Sequence, residues 1–468
     1  MNIKHAWLAP LAGSAVLLSV SLSYGGEDYC DVIGPDIITY KVADAFGSWD
    51  LEYYGNDDGI NGFAFGTTSG NPGDAEAEWA RSGDGTKSPV IAQNIYRIKD
   101  NRFEQIGLSW LKHSFCAVSE TMCDCQSTSC DTLGIGCADT YWADLNADAE
   151  APRSEINPTT GDFVYPFFQS PCGSFSMRGK LQIKNEDNDP SLNPGGAYIL
   201  EGQYVAANTD EQFAAGDEYD FGLQYNNVSY RYVKFSSPTA SQPIGSTVVM
   251  TPAIQAWADA SGATITEVWT PEADDDLGLM HVGFLVTDNG DGTWHYEYAV
   301  HNQNSHRAGR LFSVPVPSSA TITNVDFHSP FYHSCELVQN GDWEYEIADG
   351  AITWSTDREE DNEWANALIW SSVYNFRFDA NVGPGEVAAQ IGFWRMGDAD
   401  DPDAVEVLIS GPEANDCPAD LDGDGTVAVN DILVLIGAWQ TPAGDIDGDG
   451  TTGVNDILIL LDQFGNDC

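Results

Sequence analysis

Positive charge is what this chain has least of. It carries 19 lysines and arginines against 72 aspartates and glutamates, a formal net charge of −53 over 468 residues. A polyphosphate backbone would be repelled by such a surface, which excludes nucleic acid as the main partner. An anionic membrane surface is disfavoured for the same reason. Long apolar runs are scarce too. The one candidate, Ala6 to about Val20, is too short to span a bilayer, so the chain is expected not to be membrane-spanning. Catalytic motifs are also wanting. There is no Gly-x-Ser-x-Gly elbow, no His-Glu-x-x-His helix and no phosphate-binding glycine loop.

The short apolar run has another reading. Lys4 precedes it and Ser23-Tyr24-Gly25 follows, with small residues where a signal peptidase inspects the chain. Residues 1–25 are therefore expected to be a signal peptide, and the mature protein to be secreted. The ten cysteines all lie beyond that segment. Cys116, Cys123, Cys125, Cys130 and Cys137 cluster, with His113 close by, while Cys30, Cys172 and Cys335 are scattered. In an exported chain this usage points to disulfides. Metal binding by the cluster is the competing reading, but the paired Cys-x-x-Cys knuckles of zinc sites are missing. Its connectivity is left open by the sequence.

Hydrophobic residues make up 42% of the chain and aromatics 11%, enough for cores in two or three domains. Glycine, proline and short runs of β-branched and aromatic residues favour strands and turns. Period-two patterns occur at Lys180–Lys184, Ala197–Glu201 and Val228–Phe235. They are stronger from Thr247 to Ile409. There His281–Thr287 and Trp294–Val300 flank Asp288-Asn-Gly-Asp-Gly-Thr293, the pattern of a hairpin. Trp294, Tyr296 and Tyr298 give one face of that strand a wholly aromatic character. The fold class expected is mainly β: a disulfide-containing β-rich module over 26–240, an antiparallel β-sandwich module over 241–410 and a linker over 411–416. A small α-helical, calcium-binding domain follows over 417–468.

That last domain rests on an internal repeat. Asp420-Leu-Asp-Gly-Asp-Gly-Thr-Val-Ala-Val-Asn-Asp431 aligns without gaps on Asp445-Ile-Asp-Gly-Asp-Gly-Thr-Thr-Gly-Val-Asn-Asp456, and each is followed by Ile-Leu. Calcium is a hard cation that takes six to eight oxygens. Carboxylates at Asp420, Asp422 and Asp424 can curl round one ion, with Gly425 permitting the turn. The Thr426 carbonyl adds an oxygen and Asp431 closes the shell. Asp445, Asp447, Asp449, Gly450, Thr451 and Asp456 repeat the set, so two Ca2+ ions are expected. Loop position 9, Ala428 or Gly453, has no side-chain ligand, a place a water can fill. The helices that follow, from Ile432 and Ile457, are apolar nearly all round and must pack on each other.

Tandem loops of this kind, with aspartate at position 12 and one helix after each, resemble dockerin modules. The bracketing Cys417 and Cys468 and the Ala438-Trp439 pair make the tail similar to the cysteine-flanked dockerin-like tails of planctomycete-type secreted proteins. The resemblance covers the tail. It implies a Cys417–Cys468 clasp and a cohesin-type or cell-surface partner. It also places partner-binding residues at loop positions 10 and 11, here Val429-Asn430 and Val454-Asn455. Family members often carry hydroxyl pairs at these positions, so the present residues depart from the pattern. Segments Asn101–His113 and Tyr296–Asn302 resemble uncharacterised secreted proteins of the same kind, which supplies no activity.

For the body, two expectations compete. One is a non-catalytic binding or structural module, with polysaccharide as a candidate ligand. The other is an O-glycosyl hydrolase carried by the tail, an activity dockerins often accompany. Hydrolysis needs two carboxylates across a cleft, and Glu155, Glu297 and Glu344 stand out only by sitting beside aromatics or turns. His301, His328 and His333 form a candidate metal trio among six histidines between 281 and 333. Trp294, Trp343, Trp354, Trp364 and Trp370 are candidate sugar platforms, with core packing the commoner use.

Overall fold

The computed structural model describes residues 30, 32–45, 50–81, 83–207, 225–273, 276–413, 417–422 and 426–466. The expected signal peptide, Asp424, Gly425 and Cys468 lie outside them. Every sheet among the described residues is built from antiparallel pairs. No helix among them is long and apolar enough to cross a membrane.

In the first half, a six-stranded sheet runs in the order Ala240–Val248, Val228–Ser237, Ala197–Val205, Val90–Lys99 and Arg102–Leu108, with Lys112–His113 also pairing to Val90–Lys99. Its two central strands are in register from Ala197 opposite Ile98 to Val205 opposite Val90. Alternation sends Ile95, Tyr198 and Leu200 to one side, against Phe63, Phe65, Leu181 and Ile183 of a three-stranded sheet. Tyr96 and Ile199 point to the other side. The cysteine-rich stretch has only two-residue strands at Glu120–Thr121 and Thr132–Leu133. Covalent links order it: Cys30–Cys123, Cys116–Cys130 and Cys125–Cys137. The cluster is oxidised and not a thiolate metal site.

The second half holds two five-stranded sheets. One runs Thr264–Pro271, Leu277–Asp288, Trp294–Asn302, Ser372–Ala380, Ile322–His328. The other runs Glu344–Ala348, Ala351–Ser355, Gly309–Pro315, Pro384–Phe393, Ala404–Pro412. The expected hairpin forms, with Met280 opposite Asn302 and Asp288 opposite Trp294. Inward rows from both sheets, including Tyr296, Tyr298, Phe376 and Phe378 from one and Phe312, Trp354 and Ile391 from the other, share a single apolar core. The aromatic face read from the sequence is thus a core face. Its buried hydroxyls are satisfied: Tyr296 Oη donates to the Val382 carbonyl at 2.8 Å and Tyr298 Oη to Ser410 at 3.0 Å.

The opposite face of the first of these sheets packs on the first half of the chain. Ala299 and Val373 join Tyr96, Phe103 and Trp257 in one cluster, and Trp370 joins Val90, Leu111 and Val205 in another. Arg153, fully buried, ties both halves. Its guanidinium donates to the carbonyls of Ser109 and Ser371, each at 2.9 Å, and to Asn94 Oδ1 at 2.9 Å. The Cys172–Cys335 disulfide crosses the same seam. The boundary expected between residues 240 and 241 accordingly falls inside the hairpin of Val228–Ser237 and Ala240–Val248, and the two halves share their cores.

Candidate metal centre

The tail contains two helices, Val429–Gly437 and Val454–Gln463. They begin three residues before the Ile-Leu steps that announced them, because Asp431 and Asp456 serve as first-turn caps. Asp431 Oδ2 accepts the Ala428 N–H at 2.7 Å, and Asp456 Oδ2 accepts the Gly453 N–H at 2.6 Å. Their other oxygens reach back into the loops. Asp431 Oδ1 accepts from Leu421 at 2.6 Å and Asp422 at 3.0 Å, and Asp456 Oδ1 accepts from Ile446 at 2.6 Å and Asp447 at 3.0 Å. Desolvation pushes the Asp431 carboxyl up, but the N–H groups of Ala428, Asp422 and Leu421 outweigh it and hold the group below its ordinary value. Asp456 is held low chiefly by the Gly453 and Asp447 N–H groups.

Around these anchors the carboxylates converge. Asp420, Asp422 and Asp431 bring oxygens within 4.8 Å of one another, and so do Asp445, Asp447 and Asp449. Oxygens on a common calcium ion, each 2.3–2.6 Å from it, are separated by at most about 5 Å. Asp456 is not in the second group. It accepts the same three backbone N–H bonds as Asp431, which does belong to the first group. The second loop winds by its own hydrogen bonds. Asp445 Oδ2 accepts from Gly450 at 2.7 Å, Asp445 Oδ1 from Asp449 at 3.1 Å, and Asp449 Oδ1 from Thr451 at 2.9 Å. Gly450 has φ of +96°, a left-handed conformation that the sharp turn demands of it.

The repeat in sequence is a repeat in space. Val427 N–H donates to the Asn466 carbonyl and its own carbonyl accepts from Gly465. Twenty-five residues on, Thr452 N–H donates to Thr441 and its carbonyl accepts from Gln440. Each loop is thereby tied to the chain following the other helix. A small core of Ala419, Val427, Leu435 and Leu460 lies between. Cys417 is disulfide-bonded, and Cys468, the partner expected for it, lies outside the described residues.

The outward faces repeat too. Val429 and Val454 are 60% and 64% exposed, Leu433 and Leu458 62% and 59%. Ile436 with Leu461 and Trp439 with Phe464 continue the same two rows, all exposed. Asn430 and Asn455, beside the first pair, are exposed as well. The same apolar surface is thus presented on both helices.

The body's candidate residues have other employment. His301 is stacked on His281 with ring centres 5.6 Å apart, His328 Nε2 bonds the Gln105 carbonyl at 3.0 Å and His333 Nε2 bonds the Leu108 carbonyl at 2.8 Å. Among the described residues, the groups whose ligand atoms converge on one point are the two in the tail. Glu155 accepts the N–H groups of Phe168 and Gln169, each at 2.7 Å. Glu297 is buried between Arg102 at 3.2 Å and Arg377 at 3.3 Å. Glu344 lies exposed on an edge strand. Trp343, Trp354 and Trp370 are core residues, and Trp294 and Trp364 are half-buried. The chain matches no family model and no curated protein.

Proposed function

We propose that this is a secreted protein whose tail, once loaded with two Ca2+ ions, docks in the manner of a dockerin onto a cohesin-type or cell-surface protein. The body is a β-sandwich-type binding or structural module. The observation that carries the reading is the paired repeat: two converging carboxylate sets, each behind an outward apolar row at the same 25-residue offset. Asp420, Asp422, Thr426 and Asp431 would hold one ion together with Asp424. Asp445, Asp447, Asp449, Thr451 and Asp456 would hold the other. The ions would neutralise carboxylates that otherwise repel, and would fix the helices at the angle that presents Val429-Asn430 and Val454-Asn455. The structural partners of Glu155 and Glu297, and the exposed edge-strand position of Glu344, favour a non-catalytic body over the hydrolase alternative. Calorimetric titration of the full chain with Ca2+ tests the first half of the reading, with a stoichiometry of two expected. Surface-plasmon binding to a panel of cohesin domains, with and without chelator, tests the second. Uptake of no calcium would sink both.

A further inference from the structure

We propose that a cavity in the body, around His113, binds one uncharged sugar ring of a polysaccharide. This goes beyond the docking reading and does not depend on it. The cavity encloses ≈ 210 Å³ and is lined by Arg81, Lys112, His113, Ser114, Glu150 and Tyr165, among others. That is below the ~300 Å³ at which sites for drug-sized ligands begin, so one small ring is the occupant the space allows.

The lining is short of partners in both senses. His113 Nε2 lies 2.7 Å from the Gly85 carbonyl and so must carry the proton. Burial holds the ring below its ordinary pKa, hence neutral. Nδ1 is then a bare acceptor, and it faces another acceptor, Glu150 Oε1, 3.8 Å away. A donor from outside would satisfy both. Lys112 Nζ donates to the Asp148 carbonyl at 3.2 Å, leaving donors to spare. A ligand that both donates and accepts, as a sugar hydroxyl does, meets each of these needs.

Tyr165 supplies the surface. Its ring, 43% exposed, lies tilted on His113 at 4.7 Å between centres and is braced edge-on by Phe167 at 5.5 Å. A Cβ on Gly85 would come within 2.5 Å of it, so the glycine gives the ring its seat. An aromatic ring held in place, with polar groups beside it, suits the C–H face of a pyranose. Charge selects within the sugars. Glu150 and the nearby Asp148 offset Lys112 and Arg81, so the cavity offers no net positive charge to hold an anionic ring, and the chain as a whole carries −53, which repels a polyuronate or sulfated glycan.

The test uses the full chain on an array of neutral gluco-, manno-, galacto- and xylo-oligosaccharides beside uronate oligomers, followed by calorimetric titration with whatever is retained. We expect retention of a neutral glycan only. Tyr165→Ala and Glu150→Gln, both surface-accessible changes, should each weaken it about tenfold, the loss of one good contact. Tyr345→Ala, an exposed aromatic outside the cavity, should leave it unchanged. Affinity untouched by the two cavity variants would place the sugar elsewhere on the body. Retention of uronates, or of no glycan at all, would overturn the inference and leave the tail's docking untouched. Loss of calcium-dependent docking with glycan binding intact would do the reverse.

Discussion

The body and the tail solve the problem of holding together in opposite ways. In the body, twenty-one buried residues form the core between the two C-terminal sheets alone. Further clusters, a buried arginine and four disulfides join the rest. In the tail the described core is four buried residues, and its two helices turn as much apolar surface outward as inward. A segment of about fifty residues with so small a core sits near the size at which metals or disulfides are needed to fold at all. On the proposed reading, apolar surface is used for folding in the body and is kept for a partner in the tail, with ions supplying the difference.

The largest effect that would break this contrast is loss of the ions. Asp431→Ala with Asp456→Ala removes the two helix caps as well as the two closing ligands, and the tail should lose its structure. In calcium-containing buffer, limited proteolysis should then cut within residues 417–468 while the body persists at its original melting temperature. A tail that stays resistant in the double variant under chelator would mean that its small core suffices, and the contrast would collapse. Next in size is the mirror experiment. Trp354 is fully buried in the body's core, stacked on Phe312 and tilted on Phe376. Trp354→Ala should cost about 3–5 kcal/mol of body stability. Calcium affinity of the tail, measured by titration below the melting point, should not change.

The two regions should respond to acid in different pH ranges. Burial raises Asp36, Asp139 and Glu272 of the body to about 7 each, against the N–H and hydroxyl bonds that each accepts. These three acids keep protons in the folded body that the unfolded chain has released by pH 5, so their contribution to stability falls as pH rises through 7. Lowering pH from 8 to about 7 should therefore raise the body's melting temperature, whereas below the ordinary histidine value His113, His281, His301, His306 and His333, all held low by burial, favour the unfolded chain and oppose that gain. Glu104, buried yet held near 2 by His328, Arg377 and Arg97, adds a further loss of stability below about pH 4.5. In the tail Asp431 and Asp456 are held low, so their contribution is full above the ordinary carboxylate value and lost below it. A calorimetric scan in which the body's transition fell between pH 8 and 7 would contradict the burial of those three acids.

How much of this was legible beforehand also divides by region. Strands with β-branched or aromatic alternation declared themselves: Val228–Ser237 and Trp294–Asn302 each extend by two residues the runs Val228–Phe235 and Trp294–Val300. Pro384–Phe393, central enough to pair with two neighbours, did not, because Gly385, Ala388 and Ala389 carry little strand preference and what fixes them is the sheet around them. The fusion of the two halves was invisible as well. Nothing local marks Ala299, Val373 or Arg153 as residues of a shared interior. In the tail, by contrast, ligand chemistry fixes residue type at each step of the chain, so loops and helices could be read in order. The capping duty of Asp431 and Asp456 was missed, although aspartate three residues into a helix is the sign of it. The His113 cavity had no sequence signal beyond the histidine's nearness to the cysteine cluster.

The smallest effect on stability should carry the largest on docking. Leu433 and Leu458 point outward from equivalent places on the two helices. Replacing either with serine removes no core contact, so the calcium-loaded tail should shift by no more than about 0.5 kcal/mol in chemical denaturation. A partner that covers both rows at once would lose affinity with either change. A partner that uses one row at a time, in two orientations related by the pseudo-twofold, would lose little with one change and nearly everything with both. The repeat of the Val427 and Thr452 backbone bonds makes the two rows equivalent in their support, so the single variants should behave alike. A single variant as damaging as the pair, at Leu433 but not at Leu458, would show that the symmetry belongs to the calcium loops and not to the docking face.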